Sequence, residues 1–270
     1  MPIDRRGPSV SCSAADQQWH AGNVNVACIG RENGASFAKS DDAMFSLTTT
    51  VEPGVETAAA VTSTREICDV GGGCAVAGPV GGNKVDLKAP TITIAVPAPD
   101  AVYVIDEVVA AAFECADGGS GVESCAGSAA NGSPVQTSSV GASAFSVSAT
   151  DRVGNTQSAS MPFAVTYALV SMNDTSLAVE RGAPVPVALR IADARGANRS
   201  VAGSEVTART VASADGSMRV DLREGGFRFD PDLGGYRFDV ETKDLPSGTY
   251  TLSFAVNGDP IVHTVTFIIK

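Results

Sequence analysis

Apolar and polar residues alternate along much of this chain with a period of two. Thr91-Ile92-Thr93-Ile94-Ala95-Val96 and Ala144-Phe145-Ser146-Val147-Ser148-Ala149-Thr150 each set an apolar face against a Ser/Thr face. That is the pattern of strands buried on one side. Gly, Pro, Asn and Asp punctuate the chain about every 8–12 residues, and no 3.6-residue period lasts three turns. Short strands at this spacing predict two-sheet sandwiches. In the last third the same reading predicts strands at Ser176–Val179, Val185–Ile191, Glu205–Val211, Gly226–Phe229, Tyr236–Val240, Tyr250–Val256 and Val262–Ile269. Asp230-Pro231-Asp232-Leu233-Gly234-Gly235 reads as a tight connection. Asn257-Gly258 is the clearest hairpin signal. The mixed charges from Arg219 to Asp232 read as a solvated face.

An internal repeat sets the domain plan. Ile3-Asp4-Arg5-Arg6-Gly7-Pro8-Ser9-Val10 returns as Val85-Asp86-Leu87-Lys88-Ala89-Pro90-Thr91-Ile92, and Asp69-Val70-Gly71-Gly72-Gly73 returns as Asp151-Arg152-Val153-Gly154-Asn155. Val26-Ala27-Cys28 is answered by Phe113-Glu114-Cys115. The expected organisation is a first module over 1–85, a second over 86–167 and a different third over 168–270.

The run of Asp86 and Pro90, Cys115, Asp117-Gly118-Gly119 and Asp151–Asn155 resembles bacterial extracellular Ig-like repeats of the HYR-like and Big kind. The likeness covers about residues 3–167, with Trp19-His20 ahead of the second strand. Val185-Pro186-Val187-Ala188-Leu189, after Arg181-Gly182, resembles the C-terminal Ig-like module known by its PxKF motif. Here Ala188 and Leu189 stand where that family has Lys and Phe. The resemblance implies an all-β chain of three tandem immunoglobulin-like β-sandwich modules. Such modules occur in adhesins, in stalks and at the tails of secreted enzymes.

Composition narrows the function classes. The net charge is −11 and the pI about 4.6, which argues against nucleic acid, since phosphate binding needs a basic face. No apolar run approaches the roughly 20 residues of a membrane helix, so membrane insertion is not expected. Six cysteines, Cys12, Cys28, Cys68, Cys74, Cys115 and Cys125, are even in number and locally spaced. No zinc-type spacing is present, so disulfides and an oxidising compartment are the expectation. The repeat points to local pairs, Cys12–Cys28, Cys68–Cys74 and Cys115–Cys125. The competing arrangement is an inter-sheet Cys28–Cys68 bridge. Met1-Pro2-Ile3-Asp4-Arg5-Arg6 leads into no apolar run, so an export signal is missing. An extracellular or cell-surface location then implies the C-terminal piece of a longer polypeptide with upstream domains, or a late-started reading frame.

Candidate chemistry is sparse. Asp86, Asp117 and Asp151 fall in the linker and in two loops that a sandwich can bring to one pole. Asp4, Glu32 and Asp69 are the corresponding set in the first module. Carboxylates with Gly-rich backbone suit structural Ca²⁺, whereas the same Asp residues can serve simply as turn formers. Gly119-Ser120-Gly121 lacks the spacing of a nucleophile elbow and reads as a turn. His20 and His263 have no acid–base partner assignable from sequence. Phe227, Phe229, Tyr236 and Phe238 flank a turn at period two and read as a core face. The expected function is therefore non-catalytic. It is a surface stalk or adhesin-type region that spaces or presents a binding function, with a cell-surface protein or glycan as its partner. The alternatives are the accessory tail of a secreted hydrolase and a carbohydrate-binding module.

Overall fold

A computed structural model describes residues 6–172, 174 and 178–270. It is built almost wholly of strands; the helical element among the described residues is a single 3₁₀ turn, Ser40–Asp42. Compactness divides the chain into two units. One is Met1–Thr93, Phe113–Gly127 and Val147–Ala159; the other is Ile94–Ala112, Ser128–Ser146 and Ser160–Lys270.

The described strands fall into three sets along the chain, and no sheet draws strands from two sets. In the first set, Asn25–Arg31 lies between Ser9–Cys12 and Met44–Thr48. Asn83–Asp86 lies between Trp19–His20 and Glu56–Ala60, and Arg65–Cys68 pairs with Cys74–Ala77. Alternation decides which side chains go inward. Along Asn25–Arg31 the residues Val26, Cys28 and Gly30 are buried and their neighbours exposed. Leu47 and Ala77 pack with Cys28 in a small, ring-poor core, and Ile67 and Val85 are buried as well.

In the second set the sheet order is Ala101–Val104, Thr156–Thr166, Gly141–Asp151, Val122–Gly127, and Ala112–Ala116 pairs with Thr91–Val96. Ala101–Val104 runs parallel to the end of Thr156–Thr166, from Phe163 to Thr166.

The third set is a clear two-sheet sandwich. One sheet has the order Ala168–Ser171, Val185–Ala192, Gly235–Val240, Arg228–Asp230. The other has the order Ala178–Val179, Val262–Ile269, Gly248–Val256, Val206–Ser213, Arg219–Gly226. Val187, Leu189, Ile191 and Tyr236 from the first sheet form one core with Ala208, Val211, Leu252, Phe254, Phe267 and Ile269 from the second. Phe227 packs on Phe238 and on Phe254, each at 5.2 Å between ring centres, and Phe229 packs edge-on against Tyr236 at 5.6 Å. The aromatic residues around the Asp230–Gly235 turn are thus core and near-core packing.

Several details differ from the sequence expectation. Arg219–Gly226 is a strand as well as a solvated face: Arg219, Val220 and Asp221 pair with Ala212, Val211 and Thr210, and Leu222 packs against the core of the third set. Ala168–Ser171 is a further strand. Asn257-Gly258 does open the last hairpin, with Gly258 at φ 81°. The connection runs on to Ile261, however, because the Asp259 side chain turns inward. Ser176 and Leu177, expected to open a strand, lie outside the described residues.

The cysteines form Cys12–Cys28, Cys68–Cys74 and Cys115–Cys125, and none is free. The first two bridge residues that face each other across antiparallel pairs. Cys28 is 2% exposed and packs with Leu47 and Ala77, so that bridge doubles as core. Replacing both Cys12 and Cys28 by alanine should cost the first sandwich about 3 kcal/mol, the loop-entropy value for a closure of this length. Urea titration of the variant checks this: its first transition should move to lower denaturant.

Candidate metal centre

One five-residue turn recurs at three places along the chain. Asp69 accepts from the Gly73 N–H (2.8 Å) through its carboxylate, while its own N–H donates to the Gly73 carbonyl (2.9 Å). Asp151 repeats this with Asn155, at 2.8 and 3.0 Å, and also accepts from the Val153 N–H. Asp193 repeats it a third time with Ala197, at 2.9 and 3.0 Å, and accepts from the Arg195 N–H. The short carboxylate satisfies amides that a tight turn would otherwise leave bare. Gly72, Gly154 and Gly196 follow three residues after each Asp, at φ 85°, 96° and 79°. The sequence reading missed the third copy, although Asp193-Ala194-Arg195-Gly196 carries the same signature.

The turn is also a gripping point. Asn155 donates through its side-chain amide to the backbone carbonyls of Asp86 (3.0 Å) and Lys88 (3.4 Å). Next to the third copy, Arg199 pairs with both Asp193 and Asp106, and the Ala194 N–H donates to the Ile105 carbonyl at 2.9 Å. The amides on Asp193, led by that of Ala197, hold its carboxyl below the ordinary aspartate value, with Arg199 adding to the effect.

Three carboxylates meet at the end of Asn83–Asp86. Glu56 lies directly opposite Asp86 across the antiparallel pair of Glu56–Ala60 and Asn83–Asp86. Asp117 closes over them from the loop before Val122–Gly127, and the three offer oxygens within 4.8 Å of one another. Asp86 is 0% exposed. Its oxygens accept from the Lys88 N–H (3.2 Å) and the Ser120 N–H (2.7 Å). Asp117 accepts from the Gly121 N–H at 2.7 Å, and Lys88 Nζ reaches Glu56 Oε1 at 3.0 Å. Glu56 Oε2, Asp117 Oδ1 and Ser120 Oγ are enclosed without a hydrogen-bond partner. Burial raises the Asp117 pKa, and the charges of Asp86, Glu56 and Asp151 raise it further against the Gly121 amide. The loop closes this tightly because it lacks side chains. A β-carbon on Gly118 would lie 2.5 Å from Glu56 Oε1, and one on Gly119 would lie 2.5 Å from Asp86 Oδ2.

Of the expected ligands, Asp86 and Asp117 are brought together, with Glu56 as their third member. Asp151 lies outside that trio and spends its carboxylate on the turn and on the Asn155 amide. Glu32 accepts from the Phe37 N–H and Asp69 from Gly73, and neither joins a three-ligand cluster among the described residues. Asp4 lies outside the described residues. Glu66 sits beside Cys68 and Cys74, but those sulfurs are bonded to each other and are not thiolate ligands.

The histidines have structural partners. His20 Nε2 lies 3.1 Å from both oxygens of Asp16. His263, 8% exposed, stacks on Phe254 and lies 2.8 Å from Asp259 Oδ2. That same oxygen accepts from Thr166 Oγ1 (2.8 Å) and the Tyr167 N–H (3.1 Å), while Asp259 Oδ1 takes the Ile261 N–H (2.9 Å). Burial, with the Asp259 charge as a second cause, pushes the Tyr167 phenol up. Sequence offered no sign of this buried staple beyond the isolated letters.

The chain is an all-β protein of tandem immunoglobulin-like β-sandwich modules. No family model matches it, and no curated protein does. Among solved structures it is similar to the I-band fragment I67–I69 of titin, at 11% identity over 98% of both chains with a TM-score of 0.34. It is similar to the Escherichia coli adhesin FdeC, at 13% identity over 100% of this chain and 99% of that one, with a TM-score of 0.31. It is also similar to the fibronectin(III)-like modules of Clostridium thermocellum CbhA, at 11% identity over 67% of this chain and 94% of that one, with a TM-score of 0.25. Likeness of this order says nothing about function.

Proposed function

We propose that this chain is a non-catalytic extracellular region that spaces or presents a binding function at a bacterial cell surface. Its modules would run over 1–85, 86–167 and 168–270, and its partner would be a cell-surface protein or glycan. The observation that carries this reading is the segregation of the strands into three successive sets with no shared sheet. Polar grips fix the segments between the sets: Asn155 on the Asp86 and Lys88 carbonyls, and Asp259 on Thr166 and Tyr167. Successive modules of this kind suit a spacer. Three disulfides favour an oxidising location, and the acidic surface disfavours nucleic acid. Carbohydrate binding is the weaker reading. Every described aromatic ring is buried or half-buried, which disfavours stacking of sugar rings on the chain itself.

The test is made on intact cells of the native source. An antibody to the folded chain should label unpermeabilised cells, brief external protease should remove the label, and the recovered chain should carry no free thiols. Labelling only after permeabilisation, with six titratable thiols, would sink the proposal.

A further inference from the structure

We propose that Glu56, Asp86 and Asp117, with the Ser120 hydroxyl, bind one Ca²⁺ that locks the loop of residues 117–121 onto the strand pair Glu56–Ala60 and Asn83–Asp86. Like charges directly opposite each other destabilise a sheet, yet Glu56 and Asp86 occupy such a pair. Lys88 covers one Glu56 oxygen, and the other is enclosed and unpaired. Asp117 brings a third carboxylate, again with one enclosed, unpaired oxygen. Ser120 is a separate observation. It is 6% exposed, holds Asp86 Oδ2 through its N–H, and keeps its hydroxyl enclosed on the same loop without a partner. Buried oxygens in this state are costly, and a cation supplies the missing partner to each.

The donor set is all oxygen, which selects a hard cation. Its carboxylate oxygens lie within 4.8 Å of one another, and an irregular protein cage of this kind suits Ca²⁺ better than Mg²⁺, which demands near-ideal octahedral geometry and keeps several of its waters. Gly118 and Gly119 fit the same picture, because a β-carbon at either position would strike the very carboxylates that bind. Water would complete the shell, as Ca²⁺ takes six to eight oxygens.

The whole chain, stripped with EDTA, is titrated calorimetrically with CaCl₂ and separately with MgCl₂, and its thermal midpoint is followed in each. The expected result is one Ca²⁺ per chain, a raised midpoint, and weaker binding of Mg²⁺. Glu56→Gln and Asp117→Asn should each weaken Ca²⁺ about tenfold or more, because each removes a ligand charge. Ser120→Ala should weaken it by about threefold, since it removes one neutral donor. Asp69→Asn alters the matching turn of the first module and should leave affinity unchanged. Circular dichroism checks each fold. Should Asp117→Asn fail to fold, Glu56→Gln, at a half-buried strand position, carries the measurement. The proposal is overturned by the absence of both heat and midpoint shift above the millimolar range of extracellular calcium modules. It is equally overturned by unchanged affinity in Glu56→Gln, or by Mg²⁺ binding as tightly as Ca²⁺.

Discussion

Phe254→Ala should lower the stability of the third sandwich by about 3–5 kcal/mol, the range for emptying a buried aromatic position. Phe254 is 0% exposed, lies against Phe227 at 5.2 Å, and stacks on its cross-strand partner His263 at 5.7 Å. Three neighbours limit how far the site can collapse. Phe227 is held by Phe238, Leu252 belongs to the same strand, and His263 is fixed by Asp259. Most of the cavity should therefore persist. A multi-module chain does not unfold in one step, so the measurement is a urea titration with two probes. Near-ultraviolet dichroism follows the ring cluster, and Trp19 fluorescence reports the first sandwich. The first signal should shift strongly and the second hardly at all. Equal shifts in both would mean that the sandwiches unfold as one cooperative body.

The second large effect is expected at Asp259. Its carboxylate accepts from Thr166, Tyr167, Ile261 and His263 within a site where the Asp259 side chain is 0% exposed. Asp259→Ala strands all four donors, and removing one partner of a buried charged network costs about 3–5 kcal/mol. The cost should fall on the attachment of residues 166–167 as much as on the sandwich core. Limited proteolysis should therefore cut near Tyr167 well before the global transition. The double variant Asp259→Ala with His263→Ala should cost less than the sum of the two single changes, because the two side chains share one interaction. Strict additivity would show that His263 is held by Phe254 alone.

The legibility of the sequence followed the range of the interaction. Period-two alternation located most strands of the third set, together with Thr91–Val96 and Gly141–Asp151 of the second, because burial of one face leaves a local trace. Asp151 and Asp69 were readable as equivalent because a turn carboxylate and its glycine lie within five residues of each other. The three disulfides join residues 6, 10 and 16 positions apart, and the repeat pointed to that local arrangement. Glu56 was not legible. It begins the stretch Glu56-Thr57-Ala58-Ala59-Ala60, thirty positions from Asp86, and only the register of the antiparallel pair sets them opposite each other. The Asp259 staple was hidden for the same reason, since Thr166 and Asp259 are brought together by tertiary structure alone. Arg219–Gly226 hid for a different reason. Its outward charges dominate its composition, and the strand signal survives only in Val220 and Leu222.

The placement of the disulfides has a mechanical meaning. A cystine forbids the segment between its sulfurs from being drawn out while the bond is intact. The Cys12–Cys28 loop alone withholds about 55 Å of extended chain at roughly 3.4 Å per residue. No cysteine follows Cys125, so nothing covalent restrains residues 168–270, which can release on the order of 350 Å when pulled open. Under tension the two ends of this chain are therefore different materials. The N-terminal part carries three clips that together hold back about 110 Å of extended chain, and residues 168–270 hold all of their length in store.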